Sequence, residues 1–271
     1  MRIDLHMHST FSDGLITPAK LVDMAVEEGL AAISLTDHDC LDGVNEMLAA
    51  GRKKNIEILT GVELSSEFKG RDLHILGYGV DPNHPEFQDM LKRFRDTRHK
   101  RGLKIIEKLD KLGVSIDAEE VMAKSGKGSL GRPHIAAVLA ERGYVSTPVQ
   151  AFDRYIAEGG PAYVPKYKMT PSEAIKYIRM AGGLAFVAHP GIFLENIDEM
   201  YALLEEGFDG VEVYHPKHSS EIEKELTMIA EDYGLLISGG SDYHGFTTRD
   251  LPIGALDIPY EILQKIKDRL G

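Results

Sequence analysis

The feature that most constrains this chain is a rhythm in which short apolar runs alternate with longer stretches of helical period, the pattern of repeated β-α units and a parallel sheet. Ile3 to His6, Ala32 to Thr36, Ile56 to Val62, Leu73 to Val80, Leu184 to Ala188, Gly210 to Tyr214 and Leu235 to Ser238 read as strands. Thr17-Pro18 reads as an N-cap followed by proline at the first helical position, opening a helix that ends near Gly29. Helices are expected around Val44 to Lys54, Thr170-Pro171 to Met180, Ile197 to Glu206, Ser220 to Tyr233 and Pro259 to Leu270. From Pro82 the rhythm changes. Glu86 to Leu112 is one long helical pattern, followed by shorter ones at Ala118 to Lys124, Pro133 to Arg142 and Pro148 to Glu158, with no strand before Tyr163-Val164. The chain thus divides into an α/β core, 1–82 plus 163–271, and a helical insert, 83–162. With 271 residues, 43% of them hydrophobic, one barrel with a small insert can bury a substantial core.

In such barrels chemistry gathers at the C-terminal ends of the strands, where the βα loops converge. The titratable residues obey that rule. His6-Met7-His8 and Asp13 follow the first strand, Asp37, His38 and Asp39 the second, and Glu63 the third. His74 lies within the fourth, His189 ends the fifth, His215 the sixth, and Asp242 and His244 follow the last. Of the 11 histidines, seven fall in or at the ends of strands, too many for scattered core or surface positions. The two histidines of His6-Met7-His8 share a face, because the strand period is two, so both can reach one ion. Imidazole suits Zn, Mn or Fe, and carboxylates can bridge two ions. The set therefore points to a multinuclear site for Mn²⁺, Fe²⁺ or Zn²⁺, and away from a structural zinc site, which would use cysteine.

Composition narrows the partners. A net charge of −12 argues against sequence-blind binding of duplex DNA, which needs a basic face. The lone cysteine, Cys40, excludes an intramolecular disulfide framework, fits a reducing compartment, and reads as a small buried residue. Met1 to His6 carries no apolar leader, and no run of about 18 apolar residues exists. A cytoplasmic protein without membrane contact or an obligate protein partner is expected. The insert adds a basic stripe, Arg95, Arg98 and Arg101 at spacing three, with Lys92 and His99 nearby. A glycine-rich loop, Ser125 to Gly131 with Lys127, leads into Arg132-Pro133-His134 at a helix start, where a guanidinium and the helix dipole could together meet a phosphate. A solvated face and a linker are the ordinary readings of such a stripe and loop. The loop is not a Walker A motif, since Gly128 follows Lys127. Lys166, His215 and His218 are further candidates near the pocket, whereas His84 and His99 read as surface residues.

The motifs Asp4-Leu5-His6-Met7-His8-Ser9-Thr10 with Ser12-Asp13-Gly14, Thr36-Asp37-His38, Gly61-Val62-Glu63, His189-Pro190 and Ser241-Asp242-Tyr243-His244 resemble those of the polymerase and histidinol phosphatase (PHP) superfamily. Within it the chain is most similar to the TrpH/YciV-like group, whose members carry a helical insert in this place. The resemblance covers the whole chain and implies a distorted (β/α)7 barrel with three divalent metal ions, Mn²⁺ foremost and Fe²⁺ or Zn²⁺ as alternatives. It implies one ion on His6, His8, Glu63 and Asp242, a second on Glu63, His74 and His189, and a third on Asp13, His38 and His244.

Three divalent ions against the carboxylates of Asp13, Glu63 and Asp242 would leave a positive anion trap inside an acidic protein. A phosphate ester fits such a trap. A hydroxide bridging the ions, held by Glu63, Asp242 and His189, is the expected nucleophile, so no covalent side-chain nucleophile is needed. The resemblance implies removal of the 3′-phosphate from nucleoside 3′,5′-bisphosphates, or 5′-to-3′ trimming of short RNA. It also implies that insert side chains hold the second phosphate, which singles out Arg98, Arg101, Arg132 and His134, ahead of Arg95 and beside His215. Histidinol-phosphate phosphatase is the nearest alternative, but its substrate has a single phosphate and leaves the insert arginines without a role. Amidohydrolase chemistry also begins with His-x-His, yet it normally bridges its ions differently and ends on a lone aspartate. A non-catalytic, nucleotide-binding barrel would not need the complete ligand set.

Overall fold

Seven strands follow one another in chain order around a single sheet in the computed structural model of the protein. The structure describes residues 1–125, 130–165, 168–194, 197–245 and 250–271. The strands are β1 (Ile3–Asp4), β2 (Ala32–Leu35), β3 (Glu57–Phe68), β4 (Arg71–Tyr78), β5 (Leu184–Val187), β6 (Gly210–Tyr214) and β7 (Leu236–Gly239). The helices are α1 (Pro18–Glu27), α2 (Val44–Lys54), α3 (Pro85–Lys111), α4 (Ala118–Ser125), α5 (Arg132–Glu141), α6 (Pro148–Ala151), α7 (Pro171–Met180), α8 (Pro190–Phe193), α9 (Asp198–Leu204), α10 (Ser220–Tyr233) and α11 (Tyr260–Leu270).

Local chemistry accounts for most of these boundaries. Thr17 caps α1 by accepting the Lys20 N–H, with Pro18 as the first helical residue. Thr170 and Glu173 form a capping box at the start of α7. Ser219 caps α10, and Gly234 ends it in the left-handed conformation at φ 63°.

The sheet is a distorted barrel rather than a uniformly parallel one. β1, β2 and β3 pair in parallel, as do β5, β6 and β7, but β4 is antiparallel to both of its neighbours. The expectation of a parallel sheet fails at β4 for a local reason. Lys69 and Gly70 both adopt positive φ, 49° and 81°, between the paired residues Phe68 and Arg71. Such a two-residue turn makes a hairpin and leaves no room for a crossover helix. Three other expectations need correction. Tyr163-Val164 is not a strand; its carbonyls are taken by side chains, Lys108 Nζ donating to Tyr163 O and Arg101 Nε to Val164 O. The helix expected over Pro148 to Glu158 is instead α6 followed by a π-helical turn, Phe152–Ile156. The short helix α8 has no counterpart in the sequence reading.

The chain forms two compact units, Met1–Gln88 with Lys168–Gly271, and Asp89–Tyr167. The first has a core in which Ile3, Leu76, Phe186, Ile258 and Ile266 are all buried. Within it Tyr78 donates its hydroxyl to Leu5 O at 3.0 Å and meets the Phe186 ring edge-on at 5.0 Å. The second has its own core around Leu109, Val121, Ile135, Leu139 and Ile156. No helix among the described residues is long and apolar enough to cross a membrane.

The ring closes between β7 and the start of the chain. Leu5 N donates to Gly239 O at 3.1 Å, Asp242 N to His6 O at 2.8 Å, and His8 N to Tyr243 O at 2.9 Å. Gly240 sits in this seam, where a Cβ would collide with the backbone N, Cα and Cβ of His6. Gly240→Ala is expected to destabilise the protein by about 1–3 kcal/mol through overpacking. A thermal midpoint equal to wild type would contradict this account of the seam.

Candidate metal centre

Each strand end delivers its side chain through a loop that is itself tied down. Asp4, the last residue of β1, is buried, and its carboxylate accepts the backbone N–H of His6, Ser241 and Gly254 at 3.3, 2.9 and 3.0 Å. It thereby joins the loop carrying His6 and His8 to the loop carrying Asp242. Asp37 accepts Ser9 N–H, the Ser9 hydroxyl and the Ser12 hydroxyl at 2.7, 2.6 and 2.5 Å, and so shapes the turn that presents Asp13. Asp39 accepts the Ser65 N–H at 2.7 Å and holds the loop to β3. Of the three consecutive residues Asp37, His38 and Asp39, the two aspartates are anchors and the histidine faces the cluster.

Glu63 is the hub. It is fully buried in the middle of β3, and its Oε1 lies 2.9 Å from both His74 Nδ1 and His189 Nε2. Its Oε2 lies 3.3, 3.2 and 3.1 Å from His6 Nε2, His8 Nε2 and His38 Nδ1. His74 reaches this point because β4 runs backwards: it pairs with Ser65, one inter-strand step from Glu63 and Leu76. Asp242 Oδ1 adds contacts of 3.2 Å to His8 Nε2 and 3.4 Å to His6 Nε2. Asp13, about half exposed, stands 3.5 Å from His244 Nε2 and 3.8 Å from both His8 Nδ1 and His38 Nε2.

Potential ligand atoms fall into three mutually close groups: His6, His8, Glu63 and Asp242; His8, Asp13, His38 and His244; and His38, Glu63 and His74. The first equals the set expected for one ion. The second adds His8 to an expected set, and the third has His38 where His189 was expected, although His189 touches the same Glu63 oxygen. Both ring nitrogens of buried His8 lack a well-directed hydrogen bond, as do His38 Nδ1 and His189 Nδ1. Imidazoles and carboxylates that converge without satisfying one another fit a divalent cation, and this donor set is one that Mn²⁺, Fe²⁺ and Zn²⁺ accept.

Burial pushes His38 down to about 3, against the pull of Glu63 and Asp13, and burial with the His8 charge lowers His244. Both are therefore neutral at pH 7, the ligand form. Burial also opposes charge on His8, but Asp242, Glu63 and Asp13 outweigh it and raise the ring to about 10. His6 is raised for the same reason, by Glu212, Asp242 and Glu63 against burial. Burial disfavours the charge of Glu63, yet His38, His74 and His6 hold its carboxyl well below the usual range.

Glu212 escaped the sequence reading. It is buried in β6, with Oε1 2.8 Å from His6 Nδ1 and Oε2 accepting the His189 N–H at 2.7 Å. An inward-facing glutamate between Val211 and Val213 was the available signal. His215 Nδ1 accepts the Lys217 N–H at 3.2 Å, and its Nε2 lies 3.3 Å from Asp242 Oδ2. His218 donates from Nδ1 to Val213 O and accepts the Gly191 N–H, so both ring nitrogens are taken by the backbone of β6 and α8. A cavity of about 260 Å³ opens beside Asp242 and His244, lined also by Lys217, Asp250 and Leu251. Cys40 is buried in the loop after β2.

The insert residues belong to the second compact unit. There the Arg101 and Arg132 guanidinium groups lie 6.0 and 5.9 Å from the Tyr163 ring, and Arg132 also lies 5.6 Å from Phe152. Arg98 is half-buried, and His134 Nδ1 accepts the Gly131 N–H at 3.0 Å, capping its own helix. The glycine-rich loop around Lys127 and the candidate Lys166 lie outside the described residues.

A barrel that gathers imidazoles and carboxylates at one rim is the scaffold of a metal-dependent phosphoesterase. Residues 4–144 match the PHP domain, and the chain belongs to this family. It is 34% identical over 249 residues to a 5′-3′ exoribonuclease of Haemophilus influenzae, covering 90% of each chain. It is also 34% identical to a 3′,5′-nucleoside bisphosphate phosphatase of Chromobacterium violaceum, covering 89% of this chain and 87% of that one. A solved structure from Bifidobacterium adolescentis, assigned as a metal-dependent phosphoesterase, superposes with a TM-score of 0.85 at 29% identity, covering 98% of this chain and 96% of the other. The protein is accordingly a hydrolase of phosphate esters that depends on metal.

Because His8 and His6 hold protons at pH 7 and a metal ion must displace them, loading the stripped protein should release protons. Affinity should therefore rise as pH rises from 6 towards 8. Titration calorimetry of Mn²⁺ or Zn²⁺ in buffers of different ionisation enthalpy checks this, and a buffer-independent heat would contradict it.

Proposed function

We propose that the protein removes the 3′-phosphate from nucleoside 3′,5′-bisphosphates and, by the same chemistry, trims short RNA from its 5′ end. The observation that carries the proposal is the convergence of His6, His8, His38, His74 and His189 on the single buried carboxylate of Glu63. The names of the two curated relatives supply the substrate class. We take the site to hold three divalent ions, Mn²⁺ foremost and Fe²⁺ or Zn²⁺ otherwise, on His6, His8, Asp13, His38, Glu63, His74, His189, Asp242 and His244. When bound, such ions supply Lewis acidity, charge for the phosphate oxygens and activation of water.

The chain's own groups do the rest. Glu63 bridges positions, offering Oε1 to one set of imidazoles and Oε2 to another. Asp242 presents Oδ1 to His6 and His8 while His215 holds its other oxygen. The cavity beside Asp242 and His244 gives room for a phosphate ester, and Lys217 on its wall adds positive charge for that anion. The helical unit, which we assign to substrate binding, would hold the second phosphate with Arg98, Arg101, Arg132 and His134. The placement of the Arg101 and Arg132 guanidinium groups 6.0 and 5.9 Å from the one Tyr163 ring supports this, since it brings two planar, always-charged forks from separate helices to one place. A cytoplasmic location fits a single buried cysteine.

Phosphate release by the Mn²⁺-loaded protein is expected from adenosine 3′,5′-bisphosphate and not from histidinol phosphate. The reverse pattern would move the protein to the monophosphatase reading, and silence on both would favour a non-catalytic barrel. Arg98→Ala and Arg132→Ala should raise KM for the bisphosphate by about 10-fold or more, the loss of one charge-assisted hydrogen bond, with little change for a plain aryl phosphate. Equal effects on both substrates would count against a second phosphate site.

A further inference from the structure

We propose that Glu212 is a positioning residue that sets the tautomer of His6 and the backbone of His189 at once, so that one carboxylate governs two of the imidazoles around Glu63. This rests on the metal-centre reading and is independent of the substrate.

Glu212 lies in β6 between Val211 and Val213 and is fully buried. A buried carboxylate is costly unless its oxygens are occupied, and both of these are. Oε1 lies 2.8 Å from His6 Nδ1, and Oε2 accepts the His189 N–H at 2.7 Å. An ionised carboxylate can only accept, so His6 must carry its hydrogen on Nδ1. The lone pair of the neutral ring then sits on Nε2. That nitrogen lies 3.3 Å from Glu63 Oε2 and 3.4 Å from Asp242 Oδ1, within the group formed by His6, His8, Glu63 and Asp242. The opposite tautomer would aim a hydrogen at the same point.

The second oxygen acts on the main chain. His189 has φ 27°, a region sparsely populated by residues other than glycine. Its N–H is held by Glu212 while its Nε2 reaches Glu63 Oε1 at 2.9 Å. Among the described residues, the hydrogen bonds of Glu212 reach the centre through His6 and His189.

Replacing the carboxylate with an amide separates the two duties. If the Gln oxygen takes the His189 N–H, its NH₂ faces His6 Nδ1 and makes that atom an acceptor, which drives the ring hydrogen onto Nε2. If the amide is turned round, its NH₂ opposes the His189 N–H, donor against donor. Either orientation undoes one of the two arrangements.

The test is a Zn²⁺ titration of metal-stripped wild-type, Glu212→Gln and Glu212→Asp proteins. It is combined with ¹⁵N-histidine spectra of the zinc-loaded wild type, His6 being identified by signals lost in His6→Asn. Glu212→Gln is expected to keep wild-type circular dichroism and to weaken zinc binding by about 10–100-fold. Glu212→Asp, which retains two acceptors, should bind zinc more tightly than the Gln variant. The His6 ring should show its hydrogen on Nδ1. Wild-type zinc affinity in Glu212→Gln, or a His6 hydrogen on Nε2 in the wild type, would overturn the proposal. The wild-type spectrum decides the matter even if Glu212→Gln fails to fold. None of these readouts involves phosphate release, so failure of the substrate assignment would leave them unaffected.

Discussion

The carboxylate of Glu63 is the constraint around which the rest of the centre is arranged. It is fully buried, and five imidazoles, one from within β4 and four from just after β1, β2 and β5, approach within 3.3 Å. A lone charge at that depth would cost several kcal/mol, so the surrounding histidines and the cations they attract are a condition for its presence. Without a cation the cluster balances its buried negative charge by holding protons on His6 and His8, and a metal ion has to displace them.

Much of this was legible in the residues. His6-Met7-His8 and Asp242-Tyr243-His244 stand at apolar strand ends, and their joint appearance with Glu63 and His189 marks a metal site. Caps such as Thr17-Pro18 and Thr170-Pro171 place helix starts to the residue. What escaped has physical causes. The reversal of β4 depends on two positive φ values at Lys69-Gly70, and lysine carries no strong turn preference. The anchors Asp4 and Asp37 and the positioner Glu212 act through backbone N–H groups, serine hydroxyls or another side chain's ring nitrogen. Such partnerships are set by tertiary placement, which no spacing in the chain records.

The helical unit poses a different problem. Its arginines are spaced like a solvated stripe, yet Arg101 and Arg132 come from separate helices, α3 and α5, and meet on one ring, Tyr163. Tyr163-Val164 reads as a strand because it is apolar and β-prone, but its carbonyls are committed to Lys108 and Arg101. Basic side chains supply there the hydrogen bonds that a neighbouring strand would have given. This accounts for the missing strand and ties the Arg101 guanidinium to the backbone at Val164.

The three ties of Asp4, to His6, Ser241 and Gly254, span almost the whole chain, the farthest partner being 250 residues away. During synthesis the N-terminal histidines emerge first and wait for the segment that completes their site. A nascent chain shorter than the Asp242 loop therefore has no finished cation trap and no working phosphoesterase centre.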